Sequence, residues 1–234
     1  MRFDPPLQPA TLVRRYNRFL ADVTFEDGTS ATAHCANPGT MLSVSTPGSR
    51  VWLQESSNPK RKLRWSWKLI ELEDGIAGID TGVPNRIVAE ALAAGRIPAL
   101  GRYDTVRAEV PYAERSRVDF LLHGPDGAIW LEVKNVHLRR TGRLAEFPDC
   151  VTKRGARHLE DLAGMVSQGA RAVMLYVVQR TDCDRLGLAA DLDPAYAAAA
   201  RQAAAAGVEM LAHGTMITPE AIELTSRLPI DLDA

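Results

Sequence analysis

Residues 116–136, SRVDFLLHGPDGAIWLEVKNV, predict a β-hairpin with an acid on its first strand and a Glu-x-Lys motif on its second. The runs VDFLL and AIWLEVKNV are typical of strands, and the GPDG tetrapeptide between them is a tight-turn sequence. A regular hairpin about this turn places Asp119 opposite Glu132, with Cβ atoms about 5 Å apart. Lys134 shares their face because strand side chains alternate. The sequence therefore predicts two carboxylates and an ammonium group in one cluster.

This cluster is typical of a metal-dependent nuclease. Adjacent carboxylates repel each other, a divalent cation relieves that repulsion, and oxygen ligands suit Mg²⁺ or Mn²⁺. A neighbouring lysine can hold or deprotonate an attacking water. The alternative is a solvated cross-strand ion pair, but the apolar residues around Glu132 indicate a buried strand, where unpaired charge costs several kcal/mol. We therefore predict Asp119, Glu132 and Lys134 as catalytic residues, with the two acids as metal ligands and no organic cofactor.

The composition indicates a cytoplasmic globular protein. The chain has 234 residues, of which 46% are hydrophobic and 24% charged, and this length allows one large or two small domains. No apolar run approaches the roughly 18 residues of a membrane span, and the N-terminus lacks the apolar core of a signal peptide. The three cysteines are far apart and form no CxxC pair. We expect a reduced protein with neither zinc nor disulfides and no membrane partner.

Positive charge is concentrated in two parts of the chain. Residues 1–68 have a balance of +5 and residues 107–158 a balance of +3, whereas residues 159–234 have a balance of −6. This distribution suits a polyanionic partner bound on one side of the molecule.

The pattern of elements predicts two domains. Residues 1–82 contain several short strands separated by turns, starting with one strand over residues 12–25, and they suggest a partly open five-stranded barrel of the OB type. Residues 83–234 read as an α/β domain with helices near 86–94, 152–168 and 195–206. Asn85 is expected to cap the first of these helices. The run at 171–180 is expected to be a central parallel strand, and the run at 208–214 the last strand.

Cations and aromatic residues in both domains are candidates for DNA contacts. The barrel contains a cationic connection interleaved with tryptophans, a composition typical of single-strand binding surfaces. Its alternative is a barrel core that buries both tryptophans. The helix near 152–168 presents cations at i, i+4 spacing, which indicate either phosphate contacts or a solvated face. The candidates are Arg14, Arg15, Arg18, Lys60, Arg61, Lys62, Arg64, Trp65, Trp67, Lys153, Arg154 and Arg157.

Three other features have weaker interpretations. Glu90 lies at the border of the first helix's apolar stripe, so it is either a third metal ligand or a surface residue. Asp149 precedes the next helix and is interpreted as a partner of its dipole or, alternatively, as a further acid of the cleft. The turn sequence at residues 37–40, Asn-Pro-Gly-Thr, is interpreted as structural.

Several segments together resemble the sugar fermentation stimulation protein A family. They are, in chain order, RRYNRFLADV, HCANPGTM, DTGVPNRIV, SRVDFLL, LEVKNV, FPDCVTKRGARHL and VVQR, and they extend from about residue 12 to residue 213. The chain departs from the family in having Ala36 where proline is usual and Pro38 in the following turn.

The resemblance implies an N-terminal OB-like barrel, a PD-(D/E)XK restriction-endonuclease-like α/β core and DNA binding, with a role in regulating sugar (maltose) utilisation genes. It also implies that Asp119, Glu132 and Lys134 are the residues of the nuclease-like motif. Fold does not establish activity. The alternatives are a non-catalytic DNA-binding regulator that retains a vestigial nuclease core, and a protein-interaction module that uses the acidic residues 159–234.

Overall fold

The computed structural model describes residues 1–113 and 116–233 and contains two domains. The first contains the strands β1 (Leu7–Tyr16), β2 (Leu20–Thr24), β3 (Ser30–Cys35), β4 (Arg50–Glu55), β5 (Trp65–Leu72) and β6 (Gly75–Gly78). The second comprises α1 (Val83–Ala93), β7 (Thr105–Ala113), β8 (Ser116–Gly124), β9 (Gly127–Val136), β10 (Leu138–Arg139), β11 (Leu144–Phe147), α2 (Lys153–Ser167), β12 (Arg171–Val178), β13 (Arg185–Leu188), α3 (Pro194–Ala205), β14 (Glu209–Ile217), β15 (Ile222–Leu228) and β16 (Ile230–Asp231).

The N-terminal domain is the predicted OB-type barrel. Its strands follow the order β3-β2-β1-β4-β5-β6, and a parallel pairing of β3 with β5 makes the barrel closed rather than partly open. Its interior is filled by small, β-branched and larger apolar side chains, including Trp65 and Trp67. The single strand expected over residues 12–25 is instead a hairpin, because Asn17 and Arg18 adopt left-handed backbone conformations and reverse the chain.

The second domain is built on a mixed sheet of order β15-β14-β12-β9-β8-β7. As predicted, β12 is a buried central strand, parallel to both β9 and β14. The segment at residues 138–149 contains β10 and β11 of a second, smaller sheet. The strand predicted at 208–214 is β14, which is not the last strand because β15 and β16 follow it. Helices α2 and α3 pack against one face of the main sheet.

Helix α1 begins three residues before the predicted start. Gly82 occupies the N-cap position and Pro84 lies in the first turn, where its fixed φ suits a helix and its missing N–H has no cost. Asn85 is therefore inside the helix and does not cap it. Gly95, with φ of +63°, follows the helix and ends it as expected.

Asp149 joins the two domains. Its carboxylate accepts a hydrogen bond from the backbone N–H of Met41 (3.1 Å), and its backbone carbonyl accepts one from the Thr40 hydroxyl (2.7 Å). A Cβ at Gly39 would lie 2.4 Å from the same carboxylate, so only glycine fits in this turn. The structure thus corrects the interpretation of Asp149 as a helix-dipole partner, because Thr152 caps α2 and Asp149 binds the barrel's 37–40 turn.

A buried ion pair stabilises the same interface. Arg180 donates two hydrogen bonds to Asp182, at 2.8 and 2.7 Å, and a third to Ser43 of the barrel at 3.0 Å. The side chains of Arg180 and Asp182 are only 4% and 0% exposed. Burial opposes ionisation of Asp182, but Arg180 and Arg139 outweigh it and lower the pKa of Asp182 to about 2.

Asp182→Ala is expected to destabilise the protein by about 3–5 kcal/mol, because Arg180 remains buried without its counter-ion. Chemical denaturation checks this, with Asp184→Ala as control: Asp184 forms a half-exposed pair with Arg143, worth about 0–1 kcal/mol. Since the folded-state pKa of Asp182 is depressed, its contribution is complete above about pH 4 and is lost as the pH falls towards 2. Equal losses in the two variants would contradict the prediction.

Among the residues that the structure describes, no helix is both long enough and apolar enough to cross a membrane.

Candidate active site

The predicted hairpin positions the central residues of the site. Strands β8 and β9 pair in the expected register, from Gly124 opposite Gly127 to Phe120 opposite Leu131. No pairing follows the Phe120–Leu131 pair, and the next residues along the two strands are Asp119 and Glu132. The strands therefore separate where the two acids lie. Asp119 Oδ2 accepts the backbone N–H of Val133 at 2.7 Å and thereby closes the end of the ladder. Asp119 and Glu132 consequently occupy the opening between the two strands.

Glu132 is buried and is held through one of its two oxygens. Its side chain is 4% exposed, and Oε1 accepts a hydrogen bond from Lys134 Nζ at 2.7 Å. Lys134 therefore lies on the predicted face. The same Oε1 forms a short contact with Nδ1 of His158, a residue of α2. Burial opposes ionisation of Glu132, but His158 and Lys134 outweigh burial and lower the pKa of Glu132.

Arg154 determines which nitrogen of His158 carries the proton. Arg154 Nε donates to His158 Nε2 at 3.2 Å, so Nε2 is an acceptor and the proton of the neutral ring lies on Nδ1. His158 and Lys134 are then two donors that converge on Glu132 Oε1, which explains why their nitrogens lie only 3.3 Å apart. Glu132 Oε2, in contrast, is buried and has no hydrogen-bond partner among the described residues.

Asp119 is the less readily ionised acid of the pair. Burial and the nearby charge of Glu132 raise the pKa of Asp119, although hydrogen bonds from Val133 and Asn85 oppose this effect. Asn85 Nδ2 donates to Asp119 Oδ1 at 2.6 Å. The helix α1 thus supplies an amide to the site. Glu132 thus contributes to the raised pKa of Asp119, whereas His158 and Lys134 account for the lowered pKa of Glu132.

Glu90, the predicted third metal ligand, is placed elsewhere by the structure. Its carboxylate binds the amino group of Met1 at 2.7 Å, and its side chain is about half exposed. Glu90 lies five positions after Asn85 in α1, so the two side chains point in directions about 140° apart around the helix axis. Because Asn85 faces Asp119, Glu90 faces away, and its assignment as a metal ligand is corrected.

Sequence reasoning did not identify two other side chains at the site. Tyr112 of β7 stacks on Trp130, with ring centroids 5.5 Å apart, and its buried hydroxyl has no partner among the described residues. Burial and the charges of Glu132, Asp161 and Asp119 raise the pKa of this phenol. Asp161 of α2 accepts a hydrogen bond from Ser116. These contacts join segments distant in sequence, so periodicity alone gives no signal for them.

The donor set fits a hard divalent cation. Within the described residues, no group of three or more histidine, cysteine or carboxylate side chains could form a complete metal cage. Mg²⁺ does not require one, because it keeps several waters and binds through one or two carboxylates together with substrate phosphates. The unpartnered Glu132 Oε2 and the neighbouring Asp119 carboxylate are the ligands this chain would offer.

Cations on α2 border the cleft. Lys153, Arg154 and Arg157 are exposed, whereas His158 is buried. Arg154 is engaged with His158, and Arg157 is close enough to Tyr112 for its charge to affect the phenol. This arrangement leaves the helix able to contact phosphates beside the two acids, and such contacts stay a prediction.

The barrel cations divide into two groups. Arg14 pairs with Asp22 at 2.8 Å and Arg64 pairs with Glu55 at 2.6 Å. Arg15 donates to the backbone carbonyls of residues 18, 37, 39 and 40, so its role is to hold two turns together. Of the barrel cations predicted to contact DNA, Arg18, Lys60, Arg61 and Lys62 are exposed and have no carboxylate of the described residues within ion-pairing distance.

The two predicted stacking residues belong to the barrel core. Trp67 is fully buried and donates a hydrogen bond to the Leu69 carbonyl at 2.9 Å. Trp65 is 9% exposed and packs on Phe25, with ring centroids 5.0 Å apart. Both side chains point inward because β5 turns this face towards the barrel interior, so their assignment as DNA-stacking residues is corrected.

The fold and the site define a two-domain protein in which an OB barrel is followed by an α/β core that carries an Asp…Glu-x-Lys cluster. The comparisons agree: residues 13–79 match the "SfsA N-terminal OB domain" and residues 82–221 match the "Sugar fermentation stimulation protein RE domain". The chain belongs to the sugar fermentation stimulation protein family, as the signature segments predict.

Relatives resemble the chain over its whole length. It is 60% identical to a sugar fermentation stimulation protein homolog of Rhodospirillum centenum, over 97% of this chain and 98% of that one. A homolog from Jannaschia sp. is 58% identical, over 99% and 97% of the respective chains. The solved structure "Pyrococcus Furiosus SfsA in complex with Ca2+" superposes with a TM-score of 0.88 at 27% identity, covering 99% of this chain and 98% of that one.

Proposed function

We propose that this protein binds DNA across the barrel and α2, and that Asp119 and Glu132 hold Mg²⁺ or Mn²⁺ for phosphodiester hydrolysis. The observation that carries the proposal is Glu132 Oε2, a buried carboxylate oxygen beside Asp119 that has no partner among the described residues. A buried acceptor normally has a partner, and a cation would supply one. The Ca²⁺ named for the Pyrococcus furiosus protein supports the proposal, because Ca²⁺ also prefers oxygen ligands.

The protein groups have distinct tasks in this proposal. A bound cation would polarise the phosphate and lower the pKa of a water. Lys134 and His158 hold Glu132 Oε1 and so leave Oε2 facing the opening between the strands. Asn85 and the Val133 N–H fix the rotamer of Asp119. The side chain of Lys134 is only 12% exposed. In this proposal its Nζ holds the attacking water or takes its proton.

The decisive experiment is incubation of purified protein with labelled single- and double-stranded DNA in Mg²⁺, Mn²⁺ or EDTA. Binding in every condition, with cleavage only in the presence of metal, is the expected result. Binding without cleavage in any metal would favour the second candidate, a non-catalytic regulator of sugar (maltose) utilisation genes. That role needs only the exposed cations, which do not depend on the acid pair. No binding at all would reject both.

Replacing three barrel cations, Lys60, Arg61 and Lys62, with glutamate is expected to weaken the binding of DNA whatever its base sequence. Each lost phosphate contact removes about 0.7 from the slope of log K against log[salt] for single strands, so the slope should flatten by about 2. Fluorescence anisotropy over a salt titration measures it. The control reverses Arg185, Arg201 and Arg227, which changes the net charge equally in the acidic C-terminal part. A flattened slope in the control alone would place the DNA elsewhere.

A further inference from the structure

Phe19 is an aromatic side chain that the barrel leaves in solvent. It is 45% exposed, and it is the one aromatic residue among the strongly exposed large hydrophobic side chains of the described part of the chain. Its ring lies nearly parallel to the imidazole of His34, with an interplanar angle of 10° and centroids 6.4 Å apart. The two residues are neighbours because Leu20, which follows Phe19, pairs with His34 across β2 and β3. Phe19 and His34 thus form a stacked pair next to the β1–β2 turn, with the Phe19 ring partly exposed.

The backbone around Phe19 is fixed. Asn17 and Arg18 adopt positive φ values of +48° and +61°, which non-glycine residues rarely do. Arg15 Nε donates to the Arg18 carbonyl at 3.1 Å, and the Phe19 carbonyl accepts the N–H of Cys35 at 2.8 Å. These hydrogen bonds fix the turn in a conformation that exposes the Phe19 ring to solvent.

Two cations lie near this pair. Burial and the charge of Arg61, in the loop between β4 and β5, lower the pKa of His34. Arg18 directly precedes Phe19, and its charge also acts on Cys150, which lies two residues before the N-cap of α2. In the described part of the chain, neither Arg18 nor Arg61 has a carboxylate within 4.0 Å. An aromatic pair near unpaired cations complements a base with its adjoining phosphates.

We propose that Phe19 and His34 are a stacking platform for a base of single-stranded DNA, with Arg18 and Arg61 contacting the flanking phosphates. The inference rests on the proposed function and names its ligand. A duplex keeps its base faces stacked inside, so only an unpaired strand offers one to the platform. The two loops involved, β1–β2 and β4–β5, are those through which OB folds bind oligonucleotides.

The platform also lies on a route to the acid pair. Arg18 is close to the start of α2, and His158 lies five residues beyond Lys153, about 7.5 Å along the helix axis. The exposed side chains of Lys153, Arg154 and Arg157 occupy this interval. In this proposal, a strand stacked on Phe19 continues along these side chains towards Glu132.

The test compares Phe19→Ala with wild type, using a fluorescent oligo-dT strand and a mixed-sequence duplex of equal length in EDTA. We expect the alanine variant to bind the single strand roughly 5- to 150-fold more weakly, with an unchanged salt slope, because stacking is lost and no charge is removed. Duplex affinity should change less than twofold. Phe19→Trp should restore single-strand binding. The matched control is Val13→Ala, which truncates another exposed side chain of the same hairpin, 48% exposed, and should bind as wild type does.

Other results overturn the inference. Wild-type affinity of Phe19→Ala for oligo-dT would exclude the platform while leaving the proposed function intact. An equal loss for duplex and single strand, or the same loss in Val13→Ala, would show a general effect in place of stacking. If wild type binds neither DNA, the proposed function fails and the inference fails with it. Thermal unfolding of both variants should match that of wild type, since each substitution lies at the surface.

Discussion

Replacing Glu132 with alanine is expected to lower the affinity for Mn²⁺ by about 100-fold or more, because it removes the buried oxygen that has no hydrogen-bond partner among the described residues and is the proposed metal ligand. Even residues that only orient a metal ligand typically contribute 10- to 100-fold in affinity, and a direct ligand contributes at least as much. Calorimetric titration of wild type and variant with Mn²⁺ and with Mg²⁺ measures the difference. Equal binding by the two proteins would place the metal site elsewhere.

Two further variants separate binding from positioning. His158→Ala removes a donor from Glu132 Oε1 and leaves Oε2 in place, so its Mn²⁺ affinity should fall by about 10- to 100-fold. Asp126→Asn removes an exposed acid from the turn of the same hairpin and is the matched control, with no change expected. Loss of affinity in Asp126→Asn would indicate nonspecific attraction of the cation to acidic surface.

The same substitution at Glu132 has a consequence for the metal-free protein. Repulsion between two acids, considered alone, predicts that removing one of them stabilises the fold. The structure predicts the opposite sign, because Glu132 Oε1 is the acceptor for both Lys134 and His158, and these groups are themselves largely buried. Leaving them unpaired costs more than the relieved repulsion contributes. Glu132→Ala should therefore unfold at a lower denaturant concentration than wild type.

The acid pair was predictable because its geometry is local. A turn and the two-residue period of strands fix the register of a hairpin, and Asp119 and Glu132 are only 13 residues apart. The sequence could not show that pairing stops at Phe120, since this depends on how Asp119 competes for the Val133 N–H. The positions of the acids follow from periodicity, whereas the opening between them follows from tertiary structure.

A comparison of Glu90 with Asn85 shows why the prediction of Glu90 as a third metal ligand is wrong. Chemistry favours a carboxylate over an amide as metal ligand, and the apolar stripe of α1 placed Glu90 at its border. The start of the helix decides which residues face the sheet, and α1 begins at Val83 because Pro84 suits a first turn. The face that meets Asp119 therefore carries Asn85. His158 and Tyr112 reach the site from α2 and β7, through contacts that no local pattern encodes.

Trp65 and Trp67 show why the prediction of a stacking surface on β5 was wrong. Cations interleaved with Trp65 and Trp67 suggested a stacking surface, but the same alternation is required of a strand that faces a core. Phe19 gave no signal because the sequence Asn17-Arg18 lacks the glycine that usually marks a tight turn, and residues 12–25 therefore resembled one continuous strand. The turn exists because Arg15 binds the Arg18 carbonyl, a contact visible only in the folded chain.

Replacing Lys134 with alanine is expected to reduce metal-dependent DNA hydrolysis by about 10²- to 10⁴-fold, the usual contribution of a positioned proton-transfer group. The binding of DNA should remain nearly intact because the exposed cations are unchanged, and the comparison is made at saturating Mn²⁺ because Lys134, like His158, donates to Glu132 Oε1. The loss should therefore appear in the rate at saturating DNA, as expected for an interaction made in the reaction step.

Single-turnover cleavage of labelled DNA by protein in excess measures this rate directly. Lys153→Ala is the matched control: it removes an exposed lysine from α2, so it should weaken DNA binding modestly and leave the saturated rate unchanged. Cleavage that survives Lys134→Ala would point to a contaminant or to a different site. An equal fall in rate for both lysine variants would mean that Lys134 acts through DNA affinity, since a group that holds the attacking water must affect the chemical step alone.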